Sequence, residues 1–165
     1  MIECVARLRQ PLEMCKVEPI ENRKHRCKPA GGLWTSPTAS EYGWKWWVEN
    51  EGGVLFNTEY FATHLTVRGN IYTVDSMCDL LNMPLISNER FMGVLIDQVP
   101  DFELMVARDR VDAIHLTWEG QCNTRLTQPN LYGWDCETVL VLNPEAITIE
   151  GVFIEQPIEN KSLTR

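Results

Sequence analysis

Apolar and polar positions alternate at the start of the chain, where Ile2, Cys4, Ala6 and Leu8 point one way and Val5, Arg7 and Arg9 the other. A period of two predicts a half-buried β-strand with arginines on its wetter face. Residues 10–30 are rich in Pro, Lys and Arg and read as loop. The run Gly31-Gly-Leu-Trp-Thr-Ser-Pro37 predicts a tight turn into a short strand that proline closes. Ser40 is the expected N-cap of a helix or ordered loop carrying Tyr42, Trp44, Trp46 and Trp47, with Trp44 and Trp47 on one face and Glu51-Gly-Gly53 at its end.

Further along, Phe61–Val67 and Asn70–Val74 predict two strands around an Arg68-Gly69-Asn70 turn. A short helix is expected over Ser76–Leu81, capped by Asp75 or Ser76, and a second over Asp101–Arg108 that buries Phe102, Met105 and Val106. Asp112–Thr117 reads as a strand, and residues 118–133 as a polar loop punctuated by aromatics. Thr138–Leu142 and Ile147–Ile154 supply the last strands, the first of them apolar on both faces and stopped by Asn143-Pro144. Strands outnumber helices, and their order predicts one α+β domain over residues 1–165 with mostly antiparallel sheets.

Composition narrows the class. A chain of 165 residues suits one domain burying about 70% of its unfolded surface. No stretch approaches the roughly 18–20 apolar residues of a membrane span, and the N-terminus lacks a signal peptide's basic start and apolar core. A cytoplasmic monomer without membrane contact is expected. The six cysteines at 4, 15, 27, 78, 122 and 136 include no Cys-x-x-Cys pair, which points to free thiols and no metal site. The net charge of −8 disfavours a surface that coats nucleic acid, yet its distribution is uneven. Residues 1–30 hold seven Lys/Arg against four Asp/Glu, and the remainder eight against nineteen. Arg7, Arg9, Arg23, Lys24, Arg26 and Lys28 form either a solvated face or a phosphate-facing patch.

Two constellations carry candidate chemistry. His64-Leu-Thr66 and His115-Leu-Thr117 each put an imidazole beside a threonine on one strand face. Facing each other, such pairs could bracket a phosphate with one base and one acid. They resemble the two-histidine phosphoesterases, which implies cleavage of cyclic or 2′,5′-linked nucleotides. The competing reading is ordinary strand histidines. The second constellation centres on Glu137, a carboxylate at the mouth of an apolar strand, where a charge must be solvated, paired or used.

Gly32-Leu-Trp-Thr-Ser36, the aromatic segment after it, Asp112-Ala-Ile114, and Glu137-Thr-Val-Leu-Val-Leu-Asn-Pro-Glu-Ala-Ile147 form an ordered series. The series resembles the ADP-ribosyltransferase fold, especially its small versions on phages and mobile elements, including actinobacteriophage proteins with Gly-Gly-Leu-Trp-Thr and Leu-Tyr-Gly-Trp-Asp-Cys-Glu stretches. The matching pieces cover about a quarter of the chain.

The resemblance implies split antiparallel β-sheets with a few short helices, and a location in a phage-infected bacterial host. It implies NAD as substrate, with cleavage of the nicotinamide–ribose bond through an oxocarbenium-like transition state. Glu137 would be the catalytic carboxylate. Arg7 or Arg9 on the first strand, or His64, would hold ribose or phosphate. Gly32, Trp34, Thr35 and Ser36 would line the cofactor site, with Trp34 and either Trp44 or Trp47 as walls for nicotinamide. Core packing remains the other reading of each tryptophan. Trp34 stands where the family usually places tyrosine. Asp135, two before Glu137, stands where some relatives place Glu or Gln, so acceptor choice does not carry over. Tyr132, Trp134 and Asp135 are the expected acceptor-facing residues. The acceptor could be a nucleic-acid base in single-stranded or duplex form, a protein or a small molecule, and the local basic strip leans towards nucleic acid. A protein of this fold that binds an NAD-derived or cyclic nucleotide without turning it over is the third reading.

Overall fold

The computed structural model describes residues 1–23, 26–52, 56, 58–87 and 98–157. Lys24 of the basic strip and Gly53, the expected end of the aromatic segment, lie outside the described residues.

Seven strands form one mixed sheet. They are β1 (Ile2–Leu8), β2 (Leu33–Pro37), β3 (Tyr60–Val67), β4 (Ile71–Val74), β7 (Ala113–Leu116), β8 (Thr138–Val141) and β9 (Ile147–Glu155), in the order β4-β7-β8-β2-β1-β3-β9. A separate two-stranded sheet pairs β5 (Leu85–Ser87) with β6 (Gln98–Pro100). The pairings are antiparallel except between β4 and β7, which run parallel from Ile71↔Ala113 to Val74↔Leu116. The expected α+β domain is present, but its sheet is mixed.

Strand β2 divides this sheet. Leu33, Trp34 and Thr35 pair with Val141, Leu140 and Val139, whereas Ser36 and Pro37 pair with Val5 and Cys4. Strands β3 and β4 stand five places apart in the order, yet only Arg68-Gly69-Asn70 joins them. Five steps of a flat sheet span roughly 24 Å, and such a link reaches about 14 Å at most. The sheet must therefore fold over at β2. Its two halves share one core, built from Cys4, Ala6, Leu65 and Val67 on one side and Leu33, Ala113, Val139 and Val141 on the other.

Asp112 clamps two of the crossings between the halves, β3 to β4 and β8 to β9. One carboxylate oxygen accepts the Asn70 backbone N–H at 2.8 Å and the other accepts the Asn143 side-chain amide at 2.7 Å. The Asp112 carbonyl takes the N–H groups of Leu142 and Asn143. The Arg68–Asn70 turn is thus real, but it does not close a hairpin. Long-range pairing with β7 overrides the local signal.

Short helices cover the other face of the β4-β7-β8-β2 half. These are α2 (Met77–Asn82), α3 (Phe102–Ala107) and α4 (Trp118–Thr124), whereas α1 (Trp44–Trp47) lies beside Arg7, Tyr60 and Glu155 of the other half. Leu80, Met83, Phe102 and Met105 pack with Trp134 against Val74, Ile114, Leu116 and Leu140. Ser76 and Asp79 form a capping box on α2, and Asp101 caps α3 by accepting from Leu104 N–H.

Two local expectations fail. Residues 118–133 are not all loop, because Thr117 accepts the Gly120 N–H and starts α4. Gly120 interrupts any apolar period, and it is required: a Cβ there would lie 1.9 Å from the Val74 carbonyl oxygen. Ser40 does not cap α1 either, since Gly43 occupies that position. From Trp47 the chain continues as a π-helical turn over Val48–Gly52.

Candidate functional site

Glu137 immediately precedes β8, and its backbone N–H donates to the Tyr42 carbonyl at 2.9 Å. One carboxylate oxygen lies 2.9 Å from His115 Nε2 and the other accepts the Ser40 hydroxyl at 2.7 Å. Both the Glu137 and the His115 side chains are 16% exposed. The carboxylate is neither free in water nor sealed in the core. Its pKa is lowered chiefly by the His115 hydrogen bond, with Ser40 adding to this and partial burial opposing it. Glu137 is therefore an ionised, hydrogen-bonded base. Beside it the Tyr42 and Trp118 rings stack at 4.5 Å, and Trp46 meets both edge-on.

Five of the residues expected to hold a cofactor, Arg7, Trp34, Thr35, Ser36 and Trp44, line one cavity of about 230 Å³. The register explains the convergence. Val5 pairs with Ser36, so the outer face of β1 continues into the Trp34–Ser36 face of β2, with Arg7 one pleat further on. Arg7 forks onto Glu155 through Nε at 2.5 Å and Nη2 at 3.0 Å. Trp34 meets Trp134 edge-on at 4.7 Å and carries Lys28 Nζ 4.1 Å over its ring. Ser36 accepts the Trp44 N–H at 2.9 Å, whereas the Thr35 hydroxyl is spent on the Val139 carbonyl. Trp44 stacks on Trp47, with centroids 4.9 Å apart.

Other expected cofactor residues fall outside this cavity. Trp47 backs Trp44 and packs on Phe56 instead of forming a wall. Arg9 lies over the Tyr60 ring at 5.4 Å. Gly32 is structural: its φ is +64, and a Cβ would stand 2.8 Å from the Val141 carbonyl. His64 lines a neighbouring recess of about 430 Å³ that shares Arg7, Ser36 and Trp44 with the cavity.

Glu137 itself does not line the cavity, although Cys136 and Thr138 on either side of it do. Alternation along the strand turns the carboxylate to the opposite face. Its link to the site runs through Ser40, which borders the larger recess. Neither the Ser40 nor the His115 contact had a signal in the sequence, because both partners are remote along the chain. Thiol chemistry at the cavity is disfavoured, since burial raises the pKa of Cys136, the cysteine that lines it.

The expected acceptor-facing residues separate. Tyr132 is 58% exposed, whereas Trp134 is 1% exposed and donates its indole N–H to the Cys27 carbonyl. Trp134 is a core residue that shapes the cavity from below. Asp135 lines the cavity and pairs with Arg125 at 3.2 Å.

The two His-Leu-Thr segments do not assemble a phosphate site. His64 packs edge-on against Phe153, and His115 bonds Glu137. The Thr66 hydroxyl is bonded to Glu150, and Thr117 caps α4 while bonding Asp75.

Among the described residues no three His, Cys, Asp or Glu side chains gather as a metal site, and no helix is long and apolar enough to cross a membrane. No protein-family model, curated protein or solved structure matches this chain.

Proposed function

We propose that the chain binds NAD at the Arg7–Trp34–Trp44 cavity and cleaves its nicotinamide–ribose bond, passing ADP-ribose to an acceptor. The observation that carries this reading is the pairing of two features: a cavity walled by indoles and a guanidinium, and an ionised carboxylate on the residue between two of its lining positions, Cys136 and Thr138. Aromatic faces suit a cationic pyridinium, by about 0.5–2 kcal/mol. The cavity holds one ring and its sugar, and the adjoining recess shares Arg7 for a phosphate.

In the proposed reaction the C1′–N bond breaks and its electron pair leaves with neutral nicotinamide. Positive charge builds on the ribosyl carbon, the acceptor's nucleophile bonds to it, and the acceptor gives up a proton. Glu137 stabilises that charge more strongly in the transition state than in the bound substrate. Ser40 presents to Glu137 the kind of hydroxyl donor that a ribose would present, at 2.7 Å. A ribose hydroxyl replacing Ser40 would draw the carboxylate to the sugar.

The test is nicotinamide release from NAD by the wild type and by Glu137→Gln. The variant should fold normally and lose release by a hundred- to thousandfold, the about 3–4 kcal/mol typical of such a group. Equal release by both proteins would remove the proposal. One observation favours a second reading, binding without turnover: Glu137 faces away from the cavity lining. In that case NAD or a related nucleotide binds both proteins equally well and neither releases nicotinamide on long incubation.

A further inference from the structure

We propose that a cleft leading away from the Trp34 cavity along Lys28, Arg23 and Arg9 binds a single strand of nucleic acid, and that this strand is the acceptor of the transfer. The acceptor role rests on the NAD reading; the binding does not.

The cleft has a volume of about 570 Å³ and shares Leu8, Lys28 and Trp34 with the cavity, so the two form one continuous depression. Arg9, Lys16, Arg23 and Lys28 line it, against two carboxylates, Glu13 and Glu18. Glu13 is already neutralised by Lys16 at 2.7 Å. Among the described residues neither Arg23 nor Lys28 is ion-paired, although the Asp135 carboxylate, itself paired with Arg125, lies near Lys28. A net positive cleft on a chain of charge −8 stands out. The long-range field repels a polyanion from most of the surface and admits it along this path.

One cation here also lies over an aromatic ring of the cleft, Lys28 over Trp34 at 4.1 Å. A cation beside a ring face suits a nucleotide, whose phosphate takes the cation while its base takes the ring. An unpaired strand can offer a base to this ring, whereas a duplex keeps its bases stacked on one another. Trp34 is the wall common to cleft and cavity, so a base turned onto it arrives where the ribosyl carbon would be exposed.

Fluorescence anisotropy with labelled 12-nucleotide RNA, DNA of the same sequence and its duplex tests this without NAD. We expect single-strand binding whose log affinity falls with log salt at a slope of about −2, as for three phosphate contacts. Arg23→Glu combined with Lys28→Glu, both on exposed side chains, should weaken binding at least about tenfold and flatten that slope. Arg68→Glu, just past the Val67 that pairs with Ile2 and so at the opposite end of β1 from Arg9, should leave it unchanged. No binding at low salt, stronger binding of the duplex, or an unaltered double variant would overturn the proposal. With adenylate-labelled NAD added, release of nicotinamide without label on the bound strand would overturn its role as acceptor. Absence of nicotinamide release would instead count against the NAD reading, leaving the binding result to decide the cleft.

Discussion

Glu137 and His115 meet side by side at the ends of neighbouring strands, carboxylate oxygen to ring nitrogen at 2.9 Å. The contact lowers the Glu137 pKa below its ordinary 4.5. A depressed carboxylate stabilises the fold above its unfolded pKa, and that stabilisation is lost as pH falls through the folded value. Glu137→Gln should therefore melt below the wild type at pH 7, and the gap should close towards pH 3. Paired thermal melts across that range check this; a gap that stays constant in acid would contradict it.

The fork from Arg7 to Glu155 sits where the cavity and its neighbouring recess meet. An anion reaching Arg7 must displace a carboxylate from it. Glu155→Gln should tighten inorganic pyrophosphate several-fold by calorimetry, and Arg7→Gln should abolish that binding. Weaker binding by Glu155→Gln would mean that Glu155 serves to hold Arg7 in place.

Gly31 has φ +68, and a Cβ there would stand 1.9 Å from the Pro19 carbonyl oxygen. Gly31→Ala should cost about 2 kcal/mol or more, from left-handed strain plus a backbone clash. Gly133, at φ +91, has nothing within 4 Å of its would-be Cβ. Gly133→Ala should cost only the strain, about 1–2 kcal/mol. Urea midpoints of the two variants give the comparison.

Trp134 is 1% exposed, with Phe102 stacked at 6.0 Å and Trp34 edge-on. Trp134→Ala should cost about 3–5 kcal/mol. By opening the cavity from below it should also weaken any ligand held on Trp34. Chemical denaturation and ligand titration of the same variant test both effects.

Strands whose sidedness is written in short periods were legible in the sequence. Cys4 and Ala6 of Ile2–Leu8 enter the core as its alternation implies, although Val5 on the other face is buried too. Thr138–Val141 is buried throughout, as its β-branched, two-sided apolar run implies. The cap of α2 was legible to within one residue, Asp75 or Ser76, for the same local reason. Pairing was not. Asn70–Val74 follows a turn that suggests a hairpin, and only distant β7 decides that it runs parallel elsewhere. Helix α4 was hidden because Gly120 answers to the Val74 carbonyl and not to helix propensity. In the site, the cavity residues clustered as their strand pattern allowed, since β1 and β2 are neighbours. The partners of Glu137 could not be seen, as Ser40 and His115 are brought to it by tertiary packing alone.

Asp112 has a mechanical consequence. It fastens the β3–β4 and β8–β9 crossings at the far end of β8, beside Asn70 and Asn143. Glu137, Ser40 and His115 stand at the other end of that strand. At that end Ser36 and Pro37 of β2 pair with Val5 and Cys4 of the other half, so the two halves are pinned beyond both ends of β8 and the carboxylate sits on a brace, not on a moving tip.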